Sequence, residues 1–195
     1  MHPTAWLPAV VRPLVRPLVG RLARGLLVLL VMAGVPLMAA NASAVAEVAF
    51  DGLPAEITAE IVTMALTLKP GTPYDKAVLP ADRDRVTALL KDQGFLDADA
   101  KTVVNFIPAG VRLTFAIKAR NRYTIEAVTA EGVPEATVAA LLAEAKIGKD
   151  TPCTQAVVDQ LALALAPKIG INVLYLDAER KPNANKKEAT LVFRR

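Results

Sequence analysis

The chain has very few of the side chains on which most catalytic and metal sites depend. Its 195 residues include one His, one Cys and one Trp, and aromatic residues make up 5% of the sequence. Both His2 and Trp6 lie near the start, so the remainder has no imidazole to serve as a base or metal ligand. Cys153 cannot form an internal disulfide, and its neighbours Pro152 and Thr154 supply neither a base nor a cation to activate its thiol. We therefore expect no enzyme activity, no metal and no cofactor.

Charge is divided unevenly between the start of the chain and the rest. The sequence has 23 Lys and Arg residues against 19 Asp and Glu residues, and no acidic residue precedes Glu47. The whole basic excess comes from four residues at the start, Arg12, Arg16, Arg21 and Arg24. The remainder is neutral and lacks the basic face that nucleic-acid binding requires. We therefore expect no nucleic-acid partner. Because Gly52, Gly71 and Gly94 are too scattered to form a phosphate loop, we also expect no small-molecule substrate.

Residues 1–44 have the composition of an export signal. A basic segment is followed by the uncharged run 25–40 and by two small-x-small sites for signal peptidase, Ala40-Asn41-Ala42 and Ala42-Ser43-Ala44. Since this run is shorter than the roughly 20 apolar residues that span a bilayer, we predict a signal peptide. An uncleaved N-terminal membrane anchor with its arginines inside is the alternative. Both place the rest of the chain outside the cytoplasm.

One turn segment occurs twice in the remaining sequence. Leu68-Lys69-Pro70-Gly71-Thr72-Pro73-Tyr74 and Ile147-Gly148-Lys149-Asp150-Thr151-Pro152-Cys153 each consist of an aliphatic residue, a Gly-bearing turn and then Thr-Pro. Other landmarks recur at a similar displacement: Gly52 with Gly132, Gly94 with Gly170, and Phe115 with Phe193. Such self-similarity predicts two copies of one small domain, over residues 46–119 and 122–195. We interpret five glycines as structural turn residues: Gly52, Gly71, Gly94, Gly132 and Gly170.

The first copy combines helical and alternating patterns. They predict a strand at 46–50, a helix from Ala55, a helix at 79–93, and strands at 99–107 and 111–118. The first helix is predicted to bury one face, formed by Ile57, Ile61, Met64, Ala65 and Leu68. Asp82 and Asp84 fall in the first turn of the second helix, where we expect them to interact with the helix dipole.

The second copy repeats this order. It is predicted to contain a strand at 123–128, two helices that bury Val138, Leu141, Val158 and Leu161, and a hairpin of strands 171–176 and 189–193 joined by the polar segment 181–187. The fold class is therefore α+β. We predict two tandem βααββ units after the signal or anchor helix, each a three-stranded mixed sheet with two helices on one face.

The order of elements and several motifs make the sequence similar to a pair of POTRA (polypeptide-transport-associated) domains. The motifs are Val48-x-Phe50-x-Gly52, the turn 68–74, Asp92-Gln93-Gly94-Phe95-Leu96-Asp97-Ala98, Val111-x-Leu113-x-Phe115 and, opening the next copy, Tyr123-x-Ile125. The second copy matches less well. It has Ile171 where an aromatic residue is usual, and Cys153 in the place of Tyr74.

The resemblance implies an exported, periplasmic scaffold associated with the outer membrane, which takes part in outer-membrane protein assembly or polypeptide secretion. Its partners would be an outer-membrane β-barrel or an unfolded client polypeptide. Since no barrel strands follow Arg195, we expect any barrel to be a separate protein, unless the chain is a fragment. The alternative is a cell-division or envelope structural protein, anchored in the inner membrane and facing the periplasm, which requires an uncleaved leader.

The resemblance also implies where a partner would bind. In this family the strand before the last is a sheet edge to which an extended partner adds a strand. Here that edge would consist of Thr102, Val103, Val104, Asn105 and, in the second copy, Val173, Leu174, Tyr175. The opposite interpretation is an edge protected against aggregation, because Asp97, Asp99 and Lys101 place charge beside it. We interpret Asp97 and Asp99 as solvated.

Overall fold

The computed structural model describes residues 43–194, so all but the last two residues of the predicted signal peptide lie outside the described part of the chain. The described residues belong to one compact unit of the chain. Within 43–194, no helix has both the length and the hydropathy needed to cross a bilayer.

The first βααββ unit is a three-stranded sheet with helices. Its elements are β1 (Val45–Asp51), α1 (Ala59–Ala65), a 3-10 turn (Lys76–Val78), α2 (Leu79–Asp92), β2 (Asp99–Ile107) and β3 (Gly110–Lys118). β3 lies in the middle of the sheet, parallel to β1 and antiparallel to β2. Its predicted alternation is confirmed, because Val111, Leu113, Phe115 and Ile117 are buried.

The second unit has the same topology. It consists of β4 (Thr124–Ala130), α3 (Glu135–Glu144), α4 (Gln155–Leu165), 3-10 turns at Ala166–Ile169 and Val173–Tyr175, β5 (Asp177–Asn183) and β6 (Glu188–Arg194). β6 is central, parallel to β4 and antiparallel to β5. The predicted fold of two tandem βααββ units with mixed sheets is confirmed.

The repeated Thr-Pro turn has the same task in both units. In the first, the Thr72 hydroxyl accepts a hydrogen bond from the Lys69 N–H (3.0 Å), and the Thr72 carbonyl accepts one from the Val45 N–H at the start of β1 (2.8 Å). Thr151 repeats the first bond with Gly148 (2.9 Å) and the second with the start of β4 (3.0 Å). The repeat is thus a clip that joins the loop between the helices to the first strand.

The predicted apolar face of the first helix is wrong in part. Its first and last members, Ile57 and Leu68, are buried as predicted, but the three members between them are exposed. Ile57 lies in a turn before the helix, where its N–H bonds the Pro54 carbonyl, and α1 begins only at Ala59. This late start rotates the buried face, so that Val62 is buried whereas Ile61 and Met64 are exposed by 50% and 68%. Periodicity counted from a residue outside the helix assigns the wrong side.

The strand predicted at 171–176 is also wrong. Gly170 has a left-handed conformation, and the Asn172 side chain accepts a hydrogen bond from the Leu174 N–H, which starts the 3-10 turn Val173–Tyr175. Asn and Asp side chains favour such turns because they bond the backbone two residues on. The strand follows as β5, and it includes Pro182 and two other residues of the predicted connecting loop, Lys181 and Asn183. An edge strand tolerates such a proline.

Candidate functional site

β2 is an edge strand with one side of its backbone free. Among the described residues it pairs with β3 alone. Ile107 pairs with Gly110 across a two-residue turn, and the closing pair of such a hairpin exchanges both backbone hydrogen bonds. Counting back by twos, Val103 bonds to β3, whereas Thr102 and Val104 direct their N–H and C=O groups to the free side. The edge predicted from the sequence therefore offers a partner strand two residues with backbone groups not used by the sheet.

A groove of about 480 Å³ runs beside the start of β2. We call it the first groove. It is lined by α2, the preceding 3-10 turn and β2, through Lys76, Leu79, Pro80, Arg83, Lys101 and Thr102. The Thr102 hydroxyl oxygen is buried and has no hydrogen-bond partner within residues 43–194. A polar atom of this kind is available to a chain laid along the edge.

Exposed side chains on β2 are both charged and apolar. Asp99 and Lys101 are exposed, and charge on an edge strand discourages association with other sheets. Val103 and Phe106, however, are exposed by 47% and 72%. Protection of the edge by charge does not explain these exposed apolar side chains. The strand therefore presents its charges at the start and its apolar groups towards the hairpin.

The second unit offers a poorer edge. Val173, Leu174 and Tyr175 lie in a 3-10 turn, so they do not form the strand edge predicted for them. Leu174 and Tyr175 are exposed by 85% and 74%. β5 is the edge strand of this sheet, and Pro182 deprives it of one backbone N–H.

A second groove of about 420 Å³ lies between α4 and the start of β5. We call it the second groove. Its lining includes Gln155, Asp159, Leu163, Asp177 and Ala178. It occupies in the second unit the place that the first groove has beside α2 and β2.

Asp82 joins the first turn of α2 to the loop that follows α1. Its carboxylate is fully buried and accepts hydrogen bonds from the Thr67 and Leu68 N–H groups, both at 2.9 Å, and from the Arg85 guanidinium. Burial by itself raises the pKa of Asp82, but these hydrogen bonds together outweigh it and lower the pKa below its ordinary value. The sequence interpretation of Asp82 as a helix-dipole residue missed this role, because its partners lie in the loop after α1.

The two units are joined by Tyr123. Its N–H donates to the Gly94 carbonyl and its carbonyl accepts from the Cys153 N–H, both at 2.9 Å. Its hydroxyl, on a fully buried side chain, donates to the Asp97 carboxylate. Leu96 of the first unit also packs against the second unit's core. The interpretation of Asp97 as solvated is therefore wrong, and we call this set of contacts the joint.

Two arginines reinforce the joint. The Arg122 guanidinium lies 5.9 Å from the centre of the Phe95 ring, a cation–π distance. Arg180 of β5 donates to the Lys91 carbonyl at the end of α2 (2.9 Å) and lies 3.6 Å from the Asp92 carboxylate. Cations at a helix C-terminus interact favourably with its dipole.

Burial shapes the ionisation of the groups at the joint. It raises the pKa of Tyr123 to about 12, and the hydrogen bond to the Asp97 carboxylate adds to the shift. It raises the pKa of the Cys153 thiol to about 11, although Arg180 opposes the change. A thiol of this kind is almost entirely protonated at neutral pH and is a poor nucleophile.

These features define a class of protein, an α+β scaffold of tandem βααββ units, and comparisons define it further. The POTRA family model, described as "Surface antigen variable number repeat", matches residues 43–120. The first unit is therefore a POTRA domain, and the chain is a POTRA domain protein whose second unit has the same fold. The resemblance inferred from the sequence motifs is confirmed. A comparison with curated protein sequences gave no significant match.

Solved structures with the same fold include three from bacterial POTRA proteins. Haemophilus influenzae BamA POTRA3-5 is 14% identical with a TM-score of 0.50, covering 78% of this chain and 65% of its own. BamA from Haemophilus ducreyi lacking POTRA domains 1-3 is 14% identical (TM-score 0.51; 79% and 29%). POTRA1-3 of the periplasmic domain of Omp85 from Anabaena is 17% identical (TM-score 0.51; 77% and 60%). The chain thus spans less than two thirds of each, and the likeness is one of fold.

Proposed function

We propose that the chain is a periplasmic binding scaffold for outer-membrane protein assembly or polypeptide secretion. Its first unit receives an extended segment of a client or of a barrel partner as an added strand on β2. The single observation that carries the proposal is the β2 edge, where Thr102 and Val104 direct backbone groups away from β3. Backbone pairing accepts many sequences, which suits a protein that handles unfolded chains.

Membership of the POTRA family and the fold shared with BamA and the Omp85 periplasmic domain support this proposal. POTRA domains are scaffolds rather than catalysts, which agrees with the protonated, buried thiol of Cys153. The proposal includes export of the chain by its leader and association with the outer membrane through its partner. It also takes 46–119 and 122–195 as the domain boundaries.

The test is site-specific photo-crosslinking in cells from Asn105, whose side chain is exposed on β2. We expect crosslinks to outer-membrane proteins, and we expect Val104→Pro to reduce them strongly because it removes an outward N–H without breaking the pairing with β3. Val104→Ala is the matched control, since it trims the side chain but keeps the N–H. Unchanged crosslinking in Val104→Pro would contradict the proposal. Crosslinks to division or wall-synthesis proteins would instead support an anchored envelope protein.

A further inference from the structure

Three of the four charged side chains that line the first groove are basic. Lys76, Arg83 and Lys101 contribute cations, from the 3-10 turn, α2 and β2, and Asp99 is the single acidic residue of the lining. Arg83 also contacts the Asp84 carboxylate at 2.7 Å, but the two side chains are 47% and 68% exposed. Exposed pairs of this kind are weak, so Arg83 can exchange Asp84 for a carboxylate brought in by a ligand.

The second groove has the opposite charge at corresponding positions. Asp159 corresponds to Arg83, and Asp177 corresponds to Lys101. The displacement along the chain is the same in both cases as that between Gly94 and Gly170. The lining of the second groove includes both aspartates and no Lys or Arg. Two copies of one fold thus have inverted charge beside the same strand edge.

Sheet register supports this correspondence. Thr102 lies opposite Phe115 on the central strand of the first unit, and Ala178 lies opposite Phe193 in the second. Thr102 and Ala178 are related by the displacement that relates Lys101 to Asp177. Charge inversion is therefore a property of matched sites in the fold.

We propose that the first groove selects extended segments that carry acidic side chains. The inference rests on the proposed strand addition at β2 and identifies which clients that edge prefers. A side chain directly across from Lys101 on an added strand would have its Cβ about 5 Å away. Side chains on the alternate face would be directed over α2, towards Arg83 and Lys76. Acidic residues on either face of the client strand would meet a cation.

The test uses three synthetic strand peptides that differ only in having Glu, Gln or Lys at the same positions. Binding to the full chain is measured by fluorescence anisotropy at low salt and at physiological salt. We expect the Glu peptide to bind about tenfold more tightly than the Gln peptide, because two exposed ion pairs together are worth about that factor. The Lys peptide should bind most weakly, and added salt should reduce the differences.

The decisive variant carries Arg83→Asp and Lys101→Asp, the residues of the second unit at those positions. Both side chains are on the surface, so circular dichroism should be unchanged, and the order of the three peptides should reverse. Equal binding of Glu and Gln peptides that Val104→Pro abolishes would overturn the charge preference and leave strand addition intact. A Glu preference that survives in the double variant or in Val104→Pro would also overturn it. Failure of all three peptides to bind would refute both proposals.

Discussion

Opening of the joint can be measured in the native chain, because Cys153 already provides a labelling site there. Tyr123→Phe removes the hydroxyl that donates to Asp97 and retains the ring, which is fully buried. Cys153, the only cysteine of the chain, is fully buried beside the Tyr123 carbonyl. Because its thiol is protected in the closed state, the rate of thiol labelling measures how often this region opens.

The structure sets the size of the effect. A hydrogen bond to a charged group contributes about 1.5–3 kcal/mol, and its loss leaves a half-buried carboxylate without that partner. If opening is fast relative to labelling, the rate follows the open population, so the variant should react roughly 10- to 150-fold faster than the parent. Burial raises the pKa of Cys153 to about 11, which keeps the background rate low at neutral pH.

The assay is labelling by a neutral maleimide under native conditions, followed by mass spectrometry. Tyr175→Phe is the matched control, because Tyr175 is 74% exposed and loss of its hydroxyl should leave the rate unchanged. Labelling of Tyr123→Phe at the parental rate would refute the view that the Tyr123–Asp97 hydrogen bond holds the joint closed.

Two further predictions concern the stability of the first unit. Asp82→Asn should lower its free energy of unfolding by about 1.5–3 kcal/mol in urea titrations, because the carboxylate accepts two backbone N–H bonds. Since the folded pKa of Asp82 is lowered, its contribution should be complete above its ordinary pKa of about 4 and be lost as pH falls through the folded pKa. A pH dependence unchanged by the substitution would contradict this. Gly52→Ala should cost more than Gly71→Ala in thermal melts, because an added Cβ at Gly52 would lie 2.4 Å from the Ile117 carbonyl oxygen, while at Gly71 (φ +88°) it would meet nothing within 4 Å. Gly71→Ala should cost only the strain of its backbone angle, about 1–2 kcal/mol, and equal losses would show that the contact at Gly52 relaxes freely.

The sequence predicted those elements whose pattern is set by burial of one face. β2 matches its predicted range of 99–107, and the alternation of β3 follows because every second side chain must enter the core. β5 escaped prediction for the same reason. An edge strand that contains Asp177, Glu179, Lys181 and Pro182 buries little and so has no apolar alternation to detect. The apolar residues that precede it, which resemble a strand in sequence, form a 3-10 turn.

Contacts between units were beyond the reach of periodicity. Tyr123 was predictable as the opening of a strand and Asp97 as a polar residue near another, but each belongs to a different unit. Only the folded arrangement brings the hydroxyl to the carboxylate. A buried tyrosine needs a partner for its hydroxyl, but the sequence does not indicate that a residue of the other unit supplies it.

The two copies differ at the edge strand: part of β5 contributes to the joint, whereas within residues 43–194 β2 does not use its free side. Arg180 corresponds in β5 to Val104 in β2, by the displacement that relates the two grooves. Its side chain is committed to the end of α2, where it donates to the Lys91 carbonyl. Pro182, two residues on, lacks a backbone N–H and so removes one donor from this edge. Part of the β5 edge of the second unit is thus used to join the two units. The edge at which we propose that a client strand is received is therefore β2, with its outward N–H groups and the cationic first groove.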